Sequence, residues 1–301
     1  MTAPTRDRIQ LRQRIHQLYA REHAELGEAG TYRMLDEARR WDLAPTLRAG
    51  GVAVFPHAGV LDCGHQIAAV VNAALDSGAD RVVVISVVHA FGQEMDQARI
   101  DVANGSDPAA AKYWGIQGPG IAGERQEWRH DHVLISWRHF WAAATKRRGI
   151  KGPEVIERYP YLAGGKPEQL PGIDEVARLS EEAVVVSTAD PFHHGIGYGW
   201  APAESLPPAA GGLDLARKTL AEGMALLAAG DYWGYNQHCV RARSDARDAG
   251  QVFRYLRGSL QGEILDLTYT DATTIYDAPP PTWVAGALFN WTPVSDQRVS
   301  Q

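Results

Sequence analysis

Cysteine is scarce in this sequence, and long apolar runs and concentrated positive charge are missing. Only two cysteines, Cys63 and Cys239, occur in 301 residues, which excludes a disulfide framework and fits a reducing compartment. No apolar stretch approaches the roughly 20 residues that a membrane-spanning helix needs. The charged first residues also lack the apolar core of a signal peptide. We therefore expect a cytoplasmic protein without a membrane partner.

Charge and hydrophobic content narrow the class further. The formal net charge is −6, and the 30 Lys and Arg residues are spread along the chain without a basic stripe, so nucleic acid is not an expected partner. A hydrophobic content of 45% is enough for a substantial core. We expect a single domain over residues 1–301, with residues 1–48 as an N-terminal helical segment that packs on it.

Three short apolar runs are typical of strands that are buried on both faces. The first, residues 52–55, follows a Gly-Gly pair and stops before His57. The second, VVVISVV, stops at His89, and the third, residues 183–188, stops before Asp190. Each run therefore leads to a residue that can ionise or bind a metal ion.

The segments between these runs have helical character. Residues 63–78 are rich in alanine, carry apolar residues at helical spacing and end in a glycine, and residues 173–182 precede the third run as another helix. Alternating strands and helices predict an α/β fold. We expect a three-layer sandwich in which helices flank a mostly parallel or mixed central sheet.

Parallel strands end at the same edge of a sheet, and functional groups collect there. The three strand ends should bring together His57, His89 and the pair of Asp190 and His193, with His194 as an alternative ligand. A single histidine at a strand end is more often structural, but recurrence at three strand ends favours a site. Two imidazoles and one anionic side chain form the facial arrangement of non-haem ferrous sites.

The later part of the chain contains the second cysteine. Residues 213–230 have the pattern of an amphipathic helix that ends at a glycine, and residues 231–245 follow as a predicted loop rich in aromatic and polar groups. Cys239 lies in this loop. From the residues alone it is either a small buried hydrophobe, as most free cysteines are, or an anionic ligand.

Beyond this pattern, the sequence resembles the MEMO proteins, which are related to the class III extradiol ring-cleaving dioxygenases of the LigB type. Five segments carry the resemblance in order over about residues 50 to 290. They are Pro56-His57-Ala58-Gly59 with Cys63-Gly64, Arg81 to Ile85 leading to His89, Ser187-Thr188-Ala189-Asp190 with His193 and Gly195, Cys239 with Arg241, and Trp283 to Leu288.

The resemblance implies roles for individual residues. Positions matching His57, His89 and Cys239 form the family's metal site, so Cys239 becomes the third ligand where ring-cleaving relatives usually have a carboxylate. Positions matching Asp190 and His193 line the same cavity. His132 matches the histidine of a Glu-His-Ser-x-Glu stretch that here reads DHVLI. The residues around His132 also fit an amphipathic helix with incidental histidines.

The implied activity is cleavage of a catechol- or aminophenol-like aromatic small molecule by dioxygen at an Fe(2+) ion. Copper or zinc is the alternative metal, because a thiolate is a softer ligand than a carboxylate. His193 is the expected proton carrier. Asp190 would orient the ring of His193 or stabilise its protonated form, or else cap the next turn. His132 is a candidate second acid or substrate anchor. Related folds often dimerise, so a homodimer is the expected assembly.

Three alternative functions use the same residues. One is a MEMO-type metal-binding protein without ring-cleaving activity, which the cysteine in place of a carboxylate would favour. Another is a metal-dependent hydrolase or oxidase built on the same ligands. The third is nucleophilic catalysis by a Cys239 and His193 pair, which leaves His57 and His89 without a role.

Overall fold

The computed structural model describes residues 8–122 and 126–294. These residues form eight strands and ten α-helices, together with shorter 3-10 and π-helical turns. The helices are α1 (Arg8–Glu37), α2 (Ala44–Arg48), α3 (Val60–Asp76), α4 (Gln93–Ala103), α5 (Ile135–Arg148), α6 (Ile173–Glu181), α7 (Leu213–Ala228), α8 (Tyr232–Ala242), α9 (Arg247–Arg257) and α10 (Thr273–Tyr276). The strands are β1 (Val52–Phe55), β2 (Arg81–Ile85), β3 (Gly115–Gln117), β4 (Glu154–Tyr161), β5 (Val184–Thr188), β6 (Phe192–Gly195), β7 (Leu260–Asp271) and β8 (Thr282–Pro293).

All eight strands belong to one mixed sheet, in the order β3-β4-β2-β5-β1-β8-β6, with β7 also paired to β8. The four strands β4, β2, β5 and β1 are parallel neighbours. The other pairs are antiparallel. Strands β1, β2 and β5 therefore end at the same edge, as the sequence pattern predicts, and this edge carries the candidate site.

Two groups of helices cover the sheet. Helices α1, α3 and α5 contact one another, and α3 also packs on β1 and β8. Helices α7, α8 and α9 form a second group, in which α9 packs on β2, β4 and β5. The predicted α/β class with a mixed sheet is confirmed, and the two helical groups are consistent with three layers.

The long first helix changes direction at one glycine. Gly27 has φ 59° and ψ −177° inside α1, a conformation that only glycine adopts readily. Helix α1 packs against both α3 and α5. None of the helices in the described residues is both long enough and apolar enough to cross a membrane.

The structure corrects two sequence-based assignments near the site, one of a strand end and one of a loop. The second strand ends at Ile85 and not at His89, so residues 86–89 follow the strand without regular secondary structure and lead to the site. Residues 232–242, predicted as loop, form helix α8, which starts where the Asp231 carboxylate accepts a hydrogen bond from the Gly234 N–H at 2.8 Å. Cys239 therefore lies in a helix.

Candidate metal centre

His57 is fixed at the end of β1 by contacts on three sides. Its backbone N–H donates to the Asp190 carboxylate at 2.9 Å, and its Nδ1 is 3.1 Å from Oγ1 of Thr188, the last residue of β5. The hydroxyl of Tyr19 on α1 donates to the His57 carbonyl oxygen. With Nδ1 paired to a hydroxyl, the buried ring presents Nε2 to the sheet edge.

His89 is held by a single carboxylate. Asp131 accepts the His89 backbone N–H at 2.6 Å through Oδ2, and its Oδ1 lies 3.0 Å from His89 Nδ1. A carboxylate bonded to one ring nitrogen orients an imidazole and makes the other nitrogen more basic, which is common among metal-binding histidines. Nε2 of His89 therefore faces the same space as Nε2 of His57.

The anionic partner of the two histidines is Asp245, in the short segment between α8 and α9. Its Oδ1 accepts the Asp190 backbone N–H at 2.8 Å. Its Oδ2 lies 3.0 Å from His57 Nε2 and 3.5 Å from His89 Nε2. Within the described chain, His57 Nε2 and Asp245 Oδ2 are buried atoms without a hydrogen bond of acceptable geometry. One carboxylate oxygen and two imidazole nitrogens thus lie close together at the edge of the sheet, and this is a set of ligand atoms that fits a metal ion.

The charges of this cluster are strongly coupled. Burial acts to lower the pKa of His89, but the carboxylates of Asp131 and Asp245 outweigh it and raise the pKa to about 10. Burial opposes ionisation of Asp245, yet His57 and His89 hold its pKa well below the usual range. Burial also acts to lower the pKa of His57, but Asp190 and Asp245 outweigh it, so this pKa is raised too. A divalent cation bound between these groups would balance the buried carboxylates.

Two groups of possible ligands that share His57 occur among the described residues. One contains Asp190 and Asp245, and the other contains His89 and His132. Ligand atoms of His57, His89 and His132 lie within 4.8 Å of one another. The His132 ring stacks on the His89 ring at 4.5 Å between centroids, and its Nδ1 has no hydrogen-bond partner among the described residues. Burial, and then the charge of His89, keeps the pKa of His132 well below its usual value. The ring is therefore neutral and has a free lone pair.

His193 lies on β6 and faces the same cavity as His57 and His89. Its Nδ1–H donates to the carbonyl oxygen of Arg243 at 2.7 Å, which leaves Nε2 as an acceptor. Burial lowers the pKa of His193, against the opposing effect of Asp245 and Asp190. The prediction that Asp190 orients this ring is wrong, because the Arg243 carbonyl oxygen accepts the Nδ1–H and Asp190 instead accepts the backbone N–H of His57. The charge of Asp190 still favours the protonated form of His193 by raising its pKa against burial.

Cys239 does not join this cluster. Its thiol faces a different cavity, lined by α7, α8, α9 and the neighbouring strands. Cys239 is in neither of the metal-ligand groups that the described residues form. Burial raises the pKa of its thiol to about 12 despite hydrogen bonds with Tyr235 and Ser244. Asp245, and not Cys239, therefore lies beside His57 and His89, and Cys239 and His193 line different cavities.

The remaining histidines near the site in sequence point elsewhere. His194 alternates with His193 on β6, and its Nε2 accepts the Leu206 backbone N–H at 2.9 Å. Its ring packs against Trp200 and Trp283. His65 pairs with Asp266 on β7 at 2.9 Å. Neither histidine is available to the metal centre.

A cavity of about 1130 Å³ opens onto the cluster. Its walls include the helix α1, the start of α4, the turn after β6 and the region around α10. Aromatic side chains stand beside the histidines, which suits a flat organic molecule. The ring-bearing wall residues are Tyr19, His57, His89, Phe91, His132, His193, Tyr198 and Tyr276.

Comparison with known proteins adds no relative. No protein-family model matches the chain, and no curated protein matches it. The cluster of two imidazoles and one carboxylate at the edge of a mixed sheet therefore carries the functional argument.

Proposed function

We propose that the protein is a non-haem Fe(2+)-dependent dioxygenase of the class III extradiol type, related to the MEMO proteins, which cleaves a catechol- or aminophenol-like ring. The observation that carries the proposal is the position of Asp245 Oδ2, 3.0 Å from Nε2 of His57 and 3.5 Å from Nε2 of His89. Two histidines and one carboxylate are the facial ligand set of ferrous oxygenases.

The ligand set also bears on which metal is bound. A thiolate at Cys239 would have favoured copper or zinc, whereas two imidazoles and a carboxylate suit ferrous iron and leave coordination positions for two reactants. A ferrous ion held by His57, His89 and Asp245 would bring the adjacent oxygens of the aromatic and dioxygen together and lower the pKa of the phenol.

The protein's own side chains supply the proton transfers. His193 is neutral and its Nδ1–H is tied to the Arg243 carbonyl, so Nε2 accepts the phenolic proton and later returns it. His132 lies next to His89 with a neutral ring, and it serves as the second hydrogen-bonding group for the substrate. Tyr198, at 4.8 Å from the His193 ring centroid, forms an aromatic wall beside the reacting ring.

Oxygen uptake tests this function. Protein purified without oxygen and loaded with ferrous iron is mixed with catechols and aminophenols, and dioxygen consumption and ring-opened products are measured. We expect turnover with at least one such aromatic and none with Asp245→Ala, while Asp266→Ala, on the unrelated pair with His65, keeps activity. Iron bound at one equivalent without turnover across a broad panel would overturn the proposal.

A zinc-dependent hydrolase is the second candidate, favoured by one observation. His57, His89 and His132 alone place three imidazole ligand atoms within 4.8 Å of one another, and three histidines with an open fourth position form a known catalytic zinc arrangement. Elemental analysis of freshly purified protein separates the two functions. Zinc retained by Asp245→Ala but lost from His132→Ala would support the hydrolase.

A further inference from the structure

A second cavity lies behind the metal centre, on the side of the sheet that α7, α8 and α9 cover. It offers about 40 Å³, whereas about 10–15 Å³ is enough for one water-sized molecule. Most of its wall consists of buried aliphatic and aromatic side chains. The apolar members are Val54, Ala189, Pro191, Leu220, Met224, Leu227, Ala246, Phe253, Phe289 and Trp291.

Each polar side chain in this wall has a hydrogen-bond partner within the protein. The Ser187 hydroxyl donates to the Ile85 carbonyl at 2.8 Å, and the Ser244 hydroxyl accepts the Ala246 N–H at 3.1 Å. The Tyr235 hydroxyl and the Cys239 thiol form a hydrogen bond with each other.

His238, the remaining polar side chain of the wall, bonds to the Thr219 backbone. A buried water needs two to four polar partners, and apolar cavities without them stay dry and take up apolar molecules such as xenon. The largely apolar wall, in which each polar side chain already has a partner, therefore favours a small apolar guest over water.

The cavity is one residue layer away from the metal ligands. Ala189 and Pro191 line it, while Asp190 between them holds the backbone of His57. Ser244 and Ala246 also line it, while Asp245 between them faces the two histidines. The same two backbone segments thus present alternate residues to the metal centre and to the second cavity.

We propose that this cavity is a dioxygen-binding pocket that holds the gas next to the metal centre. The role in supplying dioxygen rests on the proposed dioxygenase function, whereas binding of a small apolar molecule does not. The pocket also explains Cys239, because a thiol that keeps its proton and bonds to Tyr235 is an uncharged lining group.

Xenon tests the binding without any enzyme activity. Crystals of the full chain are pressurised with xenon, and anomalous scattering locates the gas. We expect xenon between Leu220, Tyr235 and Phe253, and its loss in Leu220→Phe, in which the larger ring fills the space. Leu227→Phe is a second filling variant, and Leu226→Phe, on the same helix but outside the cavity wall, is the matched control that keeps xenon.

The supply role is tested with the iron-loaded protein. Leu220→Phe and Leu227→Phe should raise the KM for dioxygen several-fold without changing the KM for the aromatic, and Leu226→Phe should change neither. Ordered water in place of xenon in the wild-type protein, or an unchanged KM for dioxygen in both filling variants, would overturn the proposal. If the protein cleaves no aromatic ring, the dioxygenase function fails, and the xenon result alone decides whether the pocket binds gas.

Discussion

Asp131 binds His89 twice, through the backbone N–H at 2.6 Å and through the ring Nδ1 at 3.0 Å. One carboxylate therefore fixes both the path of the chain after β2 and the direction in which Nε2 points. Replacement by asparagine keeps the size of the side chain but removes its charge and one acceptor oxygen.

We expect Asp131→Asn to weaken metal binding by about 10–100-fold, as is typical for loss of a carboxylate bonded to a ligand histidine. Competition with a chelating dye measures the affinity. Asp266→Asn is the matched control, because Asp266 pairs with His65 outside the cluster. Equal affinities for wild type and Asp131→Asn would contradict this role.

Substitutions of Asp245 and of Cys239 should have different effects on the amount of metal that the protein retains. Asp245→Ala removes the oxygen between the two histidines, so we expect it to lose most of the metal, with a larger effect than the about 100-fold limit of an outer partner. Cys239→Ser leaves the cluster untouched and should retain the metal. Elemental analysis after dialysis measures both, with circular dichroism to confirm folding. Metal loss from Cys239→Ser alone would restore the cysteine as the ligand.

His193→Gln should separate chemistry from metal binding. Removal of a proton-transfer group typically lowers kcat by about 10²–10⁴-fold, and the metal should stay because His193 is not a ligand. His65→Gln is the control histidine and should leave kcat unchanged. The pH profile of kcat/KM adds a second readout, because the acidic limb should disappear in the variant. A profile identical to that of the wild type would show that another group carries the proton.

Metal affinity should rise with pH. The carboxylates of Asp131 and Asp245 overcome burial and raise the pKa of His89 to about 10, so the metal-free ring is protonated at neutral pH and must lose that proton on binding. We expect the apparent affinity to increase about tenfold per pH unit below this pKa. Titration with Co(2+) between pH 6 and pH 8 measures the slope. A flat profile would contradict a protonated His89.

The contact between α1 and α5 should be sensitive to acid. His23 stacks on His139 at 4.4 Å, and burial followed by the charge of His139 lowers the pKa of His23 to about 4. The folded state therefore favours the neutral ring, so its stabilising contribution is complete above the ordinary pKa near 6.5 and declines as the pH falls toward 4. Thermal unfolding from pH 7 to pH 5 should show a smaller drop in Tm for His23→Gln than for wild type. The exposed His130→Gln should behave as wild type.

The sequence predicted secondary structure best where a strand is buried on both faces, because such a strand is a continuous run of apolar residues. The run at residues 52–55 was recognised with its exact ends as β1, because strands covered on both faces are almost entirely apolar. Parallel pairing of β1 and β2 with β5 then accounts for the convergence of His57 and His89. These two predictions depend on strand geometry and not on side-chain detail.

The position of Asp245 beside the two histidines could not be predicted in the same way. Asp245 lies between two helices, and the chain folds back through α8 to reach the strand ends, so no strand boundary marks it. The helix itself left a signal that was missed: Tyr235, His238, Cys239 and Ala242 are buried at helical spacing. This spacing predicts a helix with Cys239 on its buried face, and the acidic residue that follows this helix is Asp245.

The bond from the Tyr19 hydroxyl to the His57 carbonyl connects a peripheral helix to the centre of the molecule. Helix α1 also supplies Ile15 and Leu18 to the wall of the large cavity, although none of the ligand side chains comes from it. Part of the cavity wall is therefore encoded far from the codons of His57, His89 and Asp245. Substitutions at Ile15 or Leu18 can change the shape of this cavity while His57, His89 and Asp245 stay the same.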